Sequence, residues 1–480
     1  MHRPWNSLLF AVLLFAALAL LSFTFPKQGI VIAENYKLEF PSLNKLFLVQ
    51  NETRAEQAIR AINNLDTTLA LNDTSSIRTS RDSAARLITS IQYKNQKALW
   101  AFFESLQALK TSGQSIRVLH YGDSQIEGDR ITDYLRLKLQ GQFGGQGPGL
   151  ISLMPISPSV TNKIVNGPGW DRFNVFTFKD KRVTHSNYGV LAGFNRYAGY
   201  RRIYDTSAVL SSSIEISTTR LGGSNAMAYK KLKLFYGGAQ AGTWCEFYDG
   251  PALISADSLE SGGYFRVKEY GVGQGSNVHT FRFSGKDSPD FYAISLESES
   301  GIYVDNIPLR GSSGTFFHLI NNAQLKAFYD YLNVKLIILQ FGGNVMPSIK
   351  DAQMAANFGD YMRYQLSIIR KLAPNASILF IGPSDMSVKQ GTDYVTTPFL
   401  EETRNAIKKA ALDYDCAFFD MYDCMGGRNS MPLWVDQKLA ATDYTHLSPQ
   451  GARKIATLLY TALMNEYNSY LRAANEKTHK

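Results

Sequence analysis

Short continuous apolar runs alternate with amphipathic segments in two separated parts of the chain. Residues 116–121 form the first run, and Ile131, Leu135 and Leu139 then recur at helical spacing. The other strand and helix candidates of this kind are residues 335–340, 355–372, 377–381, 400–414, 417–420 and 451–470. Continuous apolar strands that alternate with helices indicate a parallel sheet covered on both faces. The pattern therefore predicts a three-layer α/β/α domain.

Between residues 157 and 300 the pattern changes to short alternating segments separated by Gly, Ser and Asn. These segments are residues 213–217, 230–236, 264–270, 278–283 and 291–296. Alternation over short runs is typical of the half-buried strands of an all-β unit. Because this unit interrupts the α/β pattern between its first helix and its second strand, we predict an inserted β-sandwich.

The N-terminus carries a long apolar run at residues 8–25, softened only by Ser22 and Thr24. As a helix, this run rises ~27 Å, close to the ~30 Å hydrocarbon core of a bilayer. A cleaved signal peptide has a shorter apolar core and a small-x-small site after it, which residues 21–25 fit poorly. We therefore expect a transmembrane helix that anchors the chain on the extracytoplasmic, periplasmic side, with a cleaved signal peptide as the alternative.

The pattern divides the chain into segments. Residues 51–71 are a helix candidate within a polar, weakly patterned stretch, and residues 86–109 show apolar positions at helical spacing. The predicted division is an anchor or signal segment at 1–26, a spacer or helical stalk at 27–85, the first part of the α/β domain at 86–156, the β-sandwich at 157–300 and the second part of the α/β domain at 301–475.

Composition excludes some classes of function. Hydrophobic residues make up 45% and charged residues 19%, which is typical of packed domains. The net charge of +9, from 50 basic and 41 acidic residues, is scattered along the chain, and this disfavours nucleic-acid binding. Three cysteines form no CxxC pair and seven histidines include no HExxH motif, so we expect no metal site. The sequence leaves open whether Cys416 and Cys424 form a disulfide or stay buried thiols.

The sequence GDSQ occupies residues 122–125, directly after the first predicted strand. A serine at the carboxyl end of a parallel strand lies where open α/β sheets bind ligands. Amides of the loop and of the following helix N-terminus can stabilise negative charge there. Alone, the motif is equally consistent with a strand-ending turn followed by a helix cap.

The sequence DYTH occupies residues 443–446, just before the last predicted helix. A serine hydroxyl such as that of Ser124 is a poor nucleophile until a base removes its proton, and His446 can be that base. Asp443 can hold the imidazole tautomer and stabilise the imidazolium. Taken alone, the pair is more simply explained as an Asp that caps a turn beside a surface His.

Two further elements supply candidate oxyanion donors. Asn344 ends the sequence FGGN, directly after the strand candidate at residues 335–340, and its amide can donate a hydrogen bond to a developing oxyanion. Gly311 lies where the chain returns from the β unit, and its N–H is a second candidate donor. The N–H of Ser124 is a third. By itself, Gly311 is most simply a turn glycine.

Together, these residues occur in the order Ser, Gly, Asn, His, and the chain thereby resembles the SGNH/GDSL hydrolases. The resemblance implies a flavodoxin-like α/β/α fold with Ser124 as nucleophile and with Asp443 and His446 completing a catalytic triad. It also implies an oxyanion hole formed by Ser124, Gly311 and Asn344, without a cofactor. The family's third block commonly reads GxND, whereas Val345 stands in place of that Asp. The replaced residue is not a triad member, so the triad assignment is unaffected.

A narrower resemblance is visible to the exported peptidoglycan O-acetylesterases. The segments that carry it are RVLHYGDSQ at 117–125, FGGQGPG at 143–149, GPSDM at 382–386 and MGG at 425–427. Some members of that branch contain a carbohydrate-binding-like β-sandwich insert. The resemblance implies a serine esterase that removes O-acetyl groups from a cell-wall or extracellular glycan. Two alternatives stay open: an O-acetyltransferase that acts on an exported polysaccharide, and a non-catalytic, membrane-anchored glycan-binding protein.

Other polar and aromatic candidates have a structural interpretation that we favour over a functional one. We expect His120 to be a structural residue of its strand, and Asp123 to shape the nucleophile loop. The remaining candidates are Gln125 and Asp129 at a helix start, Asp385 and Asp420 in loops after strands, and Trp170, Tyr197, Tyr200 and Trp244 in the β unit. We expect these residues to serve caps, loops and core packing, with contact to substrate as the alternative.

Overall fold

The computed structural model of the 480-residue chain describes residues 4–26, 30–33, 36–38, 53–70, 89–177, 180–198, 208–273 and 276–478. The helices are α1 (Pro4–Thr24), α2 (Arg54–Ala70), α3 (Trp100–Ser112), α4 (Thr132–Phe143), α5 (Gly223–Met227), α6 (Asn322–Tyr331), α7 (Ala352–Leu372), α8 (Leu400–Asp413), α9 (Met421–Met425), α10 (Met431–Asp436) and α11 (Pro449–Thr478).

The strands fall into a central sheet, two sheets of an inserted module and two short hairpins. They are β1 (Ile30–Ala33), β2 (Tyr36–Leu38), β3 (Ile91–Gln92), β4 (Ser115–Gly122), β5 (Gly149–Ile151), β6 (Asn162–Asn166), β7 (Asp171–Asn174), β8 (Gly193–Arg196), β9 (Leu210–Thr218), β10 (Lys231–Gly237), β11 (Thr243–Asp249), β12 (Ala252–Leu259), β13 (Arg266–Gly271), β14 (Val278–Gly285), β15 (Asp290–Glu297), β16 (Gly301–Pro308), β17 (Val334–Gln340), β18 (Ser377–Ile381), β19 (Ser387–Gln390), β20 (Asp393–Thr396) and β21 (Ala417–Phe419).

The central sheet has the strand order β16-β4-β17-β18-β21-β3. Its first five strands are parallel, and β3 pairs antiparallel with β21 at the edge. The four apolar runs predicted as strands are confirmed as β4, β17, β18 and β21. The sheet is thus mixed, where an all-parallel one was predicted.

Both faces of this sheet are buried, as its continuous apolar strands require. Val118 of β4 packs with α3, α4 and α11, whereas the next residue, Leu119, packs with α6, α7 and α8 on the other face. The predicted three-layer α/β/α architecture is confirmed.

Two strands of the sheet depart from the sequence prediction. β16 was not predicted, because Asp305 and Asn306 interrupt its apolar pattern, although Asp305 is fully buried. β3 lies in the segment predicted to be helical at residues 86–109, and the helix there begins only at Trp100. Pairing of Ile91 with Phe419 extends the sheet at this point, so a tertiary contact overrides the local helical spacing.

The inserted module consists of two antiparallel sheets with the orders β13-β10-β15-β8-β7 and β12-β11-β14-β9-β6. Leu234, Phe247, Phe281 and Phe291 pack between them in one core, which confirms the β-sandwich. β5 pairs with β15, so the module begins at about residue 149 and not at residue 157 as predicted.

The helix α2 packs on the α/β domain. Ala58, Ile59, Ala61 and Ile62 are buried in the cluster that also contains residues of α11. The interpretation of residues 27–85 as a spacer therefore does not hold for this helix.

The N-terminal apolar run is helical from Pro4 to Thr24. Among the residues that the structure describes, no helix combines the length and the apolar character that a membrane span needs. The transmembrane helix expected from residues 8–25 is therefore without structural support.

The three cysteine thiols are buried, and none of them is joined in a disulfide. The disulfide between Cys416 and Cys424 does not form, and the buried-thiol alternative holds. Burial raises the pKa of the Cys416 thiol to about 12, so this side chain stays neutral and packs as a small apolar group.

A buried charge cluster joins the insert to the central sheet. The Arg117 guanidinium of β4 pairs with Asp305 of β16 at 2.8 Å and with Glu297 at the end of β15. Arg117 also donates to Ser295 Oγ at 2.9 Å and lies over the Tyr303 ring at 4.5 Å. Because these groups are almost fully buried, each charge depends on the others for its compensation.

Arg117→Met is expected to lower the free energy of unfolding by about 3–5 kcal/mol, since it leaves two carboxylates buried without their main partner. Chemical denaturation measures this change. Lys326→Met, which removes an exposed pair with Asp330 four residues away, is the control and should cost at most ~0.5 kcal/mol. Equal losses in the two variants would contradict the interpretation of the Arg117 cluster.

Candidate active site

The carboxyl edge of the central sheet collects the predicted site residues. Ser124 follows β4, Asn344 follows β17, and Gly311 lies just after β16. His446 comes from the loop before α11. Parallel strands end at the same edge, so residues far apart in sequence become neighbours there.

Ser124 begins a short 3-10 segment, Ser124–Asp129, which follows the strand immediately and is kinked at Glu127 and Gly128. The Asp123 carboxylate caps it by accepting the Gln125 N–H at 2.9 Å. Burial raises the pKa of Asp123 to about 6, against the opposing effect of that hydrogen bond. Asp123 therefore shapes the nucleophile loop, as predicted.

The structure brings Ser124, His446 and Asp443 together in one hydrogen-bonded chain. Ser124 Oγ lies 2.8 Å from His446 Nε2, and His446 Nδ1 lies 2.8 Å from Asp443 Oδ2. An ionised Asp443 accepts only, so it fixes the Nδ1–H tautomer and leaves Nε2 free to accept the Ser124 proton. This arrangement is the geometry of a serine nucleophile with its base.

Backbone hydrogen bonds within its own loop hold the Asp443 carboxylate in place. Its Oδ1 accepts the backbone N–H groups of Thr445 and His446, each at 3.0 Å. Partial burial acts to raise the pKa of Asp443, but these bonds and the bond from the His446 ring outweigh it, and the net pKa is lowered. The carboxylate is therefore charged at neutral pH, as the stabilisation of an imidazolium requires.

Gln125 links the serine loop to the histidine loop, and this role was missed in the sequence. Its Nε2 donates to the carbonyl of Thr445 at 2.8 Å, and its Oε1 accepts the N–H of Leu447 at 3.2 Å. The buried Gln125 amide thus forms hydrogen bonds with the backbone on both sides of His446. Its position directly after Ser124 was the only signal in the sequence, and that position was interpreted as a helix start.

Asn344 lies in the same cavity as Ser124 and His446. The cavity measures about 270 Å³, and its walls include Asp123, Gln125, Phe341, Gly343, Pro347, Pro383, Ser384, Met386, Met421 and Thr445. The Asn344 side-chain amide donates to the carbonyl of Ser312 at 3.2 Å, which ties it to the loop that contains Gly311. Asn344 thus lines the same cavity as Ser124, and its predicted role as an oxyanion donor stays a prediction.

Gly311 lies next to this cavity without lining it. Its φ of +80° is a conformation that favours glycine, so the loop that brings Ser312 to Asn344 depends on this residue. Arg310, the preceding residue, pairs with Glu127 of the nucleophile turn. The predicted role of the Gly311 N–H as an oxyanion donor stays a prediction.

The remaining polar candidates are structural. His120 lies between Thr132 Oγ1 at 2.9 Å and Gln340 Oε1 at 3.0 Å, and burial lowers its pKa to about 4. Asp129 is bound by Arg136 at 2.7 and 3.1 Å. Asp385 accepts the Thr396 hydroxyl and the Met431 N–H, both at 2.8 Å, and Asp420 caps α9. These side chains hold the loops around the site.

The aromatic candidates of the insert divide into two groups. Trp170 and Tyr197 are buried and pack against Phe283 and Phe291 in the sandwich core, as predicted. Trp244 is 45% exposed on β11, so it is not a core residue. Tyr200 lies outside the described residues. Within the described ranges, no three His, Cys, Asp or Glu side chains group as a metal site would require.

Comparisons with known proteins agree with this geometry. Residues 270–454 match the GDSL-like Lipase/Acylhydrolase family, a span that includes Gly311, Asn344, Asp443 and His446 but not Ser124. No curated protein sequence matches the chain significantly.

Solved structures similar to the chain include a peptidoglycan O-acetylesterase, with 20% identity and a TM-score of 0.61 over 79% of this chain and 99% of the other. An acetyl xylan esterase matches with 17% identity and a TM-score of 0.27 over 34% and 81%. A family two carbohydrate esterase from Clostridium thermocellum matches with 11% identity and a TM-score of 0.25 over 64% and 100%. The first likeness, which covers 79% of this chain, establishes a shared fold.

Gln125→Leu is expected to slow the reaction of Ser124 with a fluorophosphonate probe by about 10- to 100-fold, because His446 loses its backbone support. Labelling is followed by intact-protein mass spectrometry, and circular dichroism checks the fold. Gln353→Leu, on an exposed position of α7, is the matched control and should label at the parental rate. Parental labelling by the Gln125 variant would mean that the loop positions His446 without it.

Proposed function

We propose that this chain is a carboxylic ester hydrolase of the GDSL-like type, which removes O-acetyl groups from an extracytoplasmic glycan through an acyl-enzyme on Ser124. The observation that carries the proposal is the hydrogen-bonded chain from Ser124 through His446 to Asp443. It opens into a cavity that also contains the Asn344 amide. A serine, its base and a donor for an oxyanion are the groups that acyl transfer needs.

In the proposed reaction, His446 Nε2 takes the Ser124 proton as Oγ attacks the acetyl carbonyl carbon. The carbonyl oxygen becomes an oxyanion beside the Ser124 N–H and the Asn344 amide, with the Gly311 N–H as third donor. His446 then protonates the departing sugar oxygen, and the acetyl group remains on Ser124. Water, deprotonated by His446, attacks the acyl-enzyme, and acetate leaves as Ser124 regains its proton.

The proposed substrate class is supported by the shared fold and by the inserted sandwich. A solved structure that shares this fold is that of a peptidoglycan O-acetylesterase, and the match covers 99% of that chain. An O-acetylated cell-wall or exported glycan is therefore the substrate that we propose.

We also propose that the chain works outside the cytoplasm and that residues 8–25 hold it at the membrane. The support is the apolar sequence of this segment together with its exposed large side chains, among them Leu9, Phe15 and Leu20 at 61%, 73% and 68% exposure. An apolar surface of this kind marks a contact with lipid or with another protein.

Ser124→Ala and His446→Ala should each abolish acetate release from a small aryl acetate and from O-acetylated peptidoglycan, because nucleophile or base is lost. Acetate is measured by an enzyme-coupled assay, and O-acetylated neutral polysaccharide is assayed in parallel. Near-parental activity in Ser124→Ala would remove the assignment. Acetyl transfer to an oligosaccharide in preference to water would make the protein an acetyltransferase instead.

Asn344→Ala should lower kcat by about 10²–10³-fold with a smaller change in KM, because its amide acts on the oxyanion and not on the ground-state ester. Steady-state kinetics on an aryl acetate give both constants. Asn357→Ala, on the exposed face of α7, serves as the control. A change confined to KM would assign Asn344 to substrate binding.

The full chain expressed in a Gram-negative host should fractionate with membranes, stay there after alkaline carbonate extraction, and become sensitive to protease when the outer membrane is opened. Intact mass tests whether the N-terminus is kept. A soluble periplasmic chain that has lost its first residues would show a cleaved signal peptide instead of an anchor.

A further inference from the structure

We propose that Tyr394, on the β19–β20 hairpin, is a positioning residue for His446, which it holds in place through the ring of Tyr444. The proposal rests on the esterase function above and names a residue that supports its base. Tyr444 lies in the turn between Asp443 and His446, and its ring is nearly parallel to that of Tyr394, with centroids 3.6 Å apart and an interplanar angle of 6°. Among the described residues that line the Ser124 cavity neither tyrosine appears, so the expected effect is on the loop and not on a bound substrate.

The backbone of Tyr444 has a conformation that a tyrosine seldom adopts. Its φ is +54°, in the left-handed region, where the Cβ of any residue except glycine comes too close to the following carbonyl oxygen. The turn needs this conformation, because the chain reverses here so that the N–H groups of Thr445 and His446 both reach the Asp443 carboxylate at 3.0 Å. A Tyr444 that relaxed to a negative φ would turn these amides away and withdraw the carboxylate from the imidazole.

Contacts on two sides hold Tyr444 in this conformation. Its N–H donates to the Ala441 carbonyl at 3.1 Å, within the same loop, and its carbonyl accepts the Ser387 N–H of the hairpin at 2.9 Å. The third contact is the Tyr394 ring. The two rings overlap more closely than in the offset and edge-to-face arrangements that isolated aromatic pairs favour, so the backbones on both sides must fix them. The stack therefore transmits the position of the hairpin to the loop.

The hairpin is itself anchored beside the active-site cavity. Thr396, at the end of β20, donates its hydroxyl to the buried Asp385 carboxylate at 2.8 Å and its N–H to Asn429 Oδ1 at 2.9 Å. Met386, immediately before β19, lines the cavity. Tyr394 lies two residues before the Thr396 anchor, so its ring projects from a fixed strand end and not from the exposed tip of the hairpin.

Labelling of Ser124 by a fluorophosphonate probe tests this role without a substrate, because the probe reports whether the serine is activated. In the full chain, Tyr394→Ala should slow labelling by about 10-fold, since the loop relaxes and misplaces His446. Tyr394→Phe keeps the stack and should label at the parental rate. Tyr364→Ala, at a half-exposed tyrosine of α7, is the matched control and should also match the parent. Parental labelling by Tyr394→Ala would overturn the proposal.

Substitutions of Tyr444 distinguish support of the backbone from any other role of the ring. Tyr444→Ala keeps the strained φ without the stack and should slow labelling as much as Tyr394→Ala. Tyr444→Gly removes the strain together with the ring, so it should label faster than Tyr444→Ala. Because the two rings act as one unit, Tyr394→Ala should add nothing to Tyr444→Ala in the double variant. Equal losses in the glycine and alanine variants, or additive losses in the double variant, would contradict this mechanism.

Steady-state kinetics separate positioning from substrate binding. On an aryl acetate, Tyr394→Ala should lower kcat by about 10-fold and leave KM unchanged. A tyrosine that stacks on a sugar would instead raise KM on O-acetylated peptidoglycan and leave labelling unchanged, and this result would refute the positioning role. A melting temperature that falls in Tyr394→Ala while labelling stays parental would make the stack a structural feature of the hairpin and would count equally against it.

The same measurements distinguish a failure of this proposal from a failure of the esterase assignment. If Tyr394→Ala labels slowly but the parent releases no acetate from either substrate, the positioning role stands and the esterase assignment falls. If the parent releases acetate and Tyr394→Ala matches it in labelling and in kcat, the esterase assignment stands and the positioning role falls.

Discussion

One hydrogen bond, of 2.8 Å between Ser124 Oγ and His446 Nε2, joins residues that are 322 positions apart. The proposed chemistry depends on it, because a serine hydroxyl is a poor nucleophile unless a base lies within hydrogen-bond reach. A contact of that sequence separation needs a rigid frame. The frame is the carboxyl edge of the parallel strands, together with the Gln125 amide, which binds the backbone before and after His446. The exposed loop alone would not hold the imidazole in place.

The insert is part of this frame. Arg117, Asp305 and Glu297 form one buried charge cluster across the junction. On the neighbouring face, Phe235 and Tyr292 of the insert pack against Phe328 of α6, with ring centroids 5.7 and 5.6 Å apart. Charge compensation and apolar packing therefore fix the sandwich relative to the sheet edge.

The apolar patterns predicted most of the α/β strands and the nature of the insert. A strand buried on both faces gives a continuous apolar run in the sequence, whereas a strand buried on one face gives an alternating pattern. β16 was missed, because Asp305 interrupts its apolar pattern. The sequence does not reveal that this carboxylate is buried and compensated by Arg117. β3 was predicted as helix, because only pairing with β21 makes that segment extended. The helix at residues 54–70 was expected, but its packing on the core depends on a partner, α11, that lies near the other end of the chain.

The sequence by itself determined the chemical groups: a serine after a strand, an Asp-x-x-His pair before the last helix, and an asparagine after another strand. Their order and flanking motifs were enough to suggest the family, because local motifs encode local turns. Only the tertiary structure decided which of these groups meet and that the Gln125 amide binds the backbone on both sides of His446. These features arise from contacts between distant segments, which no local pattern records.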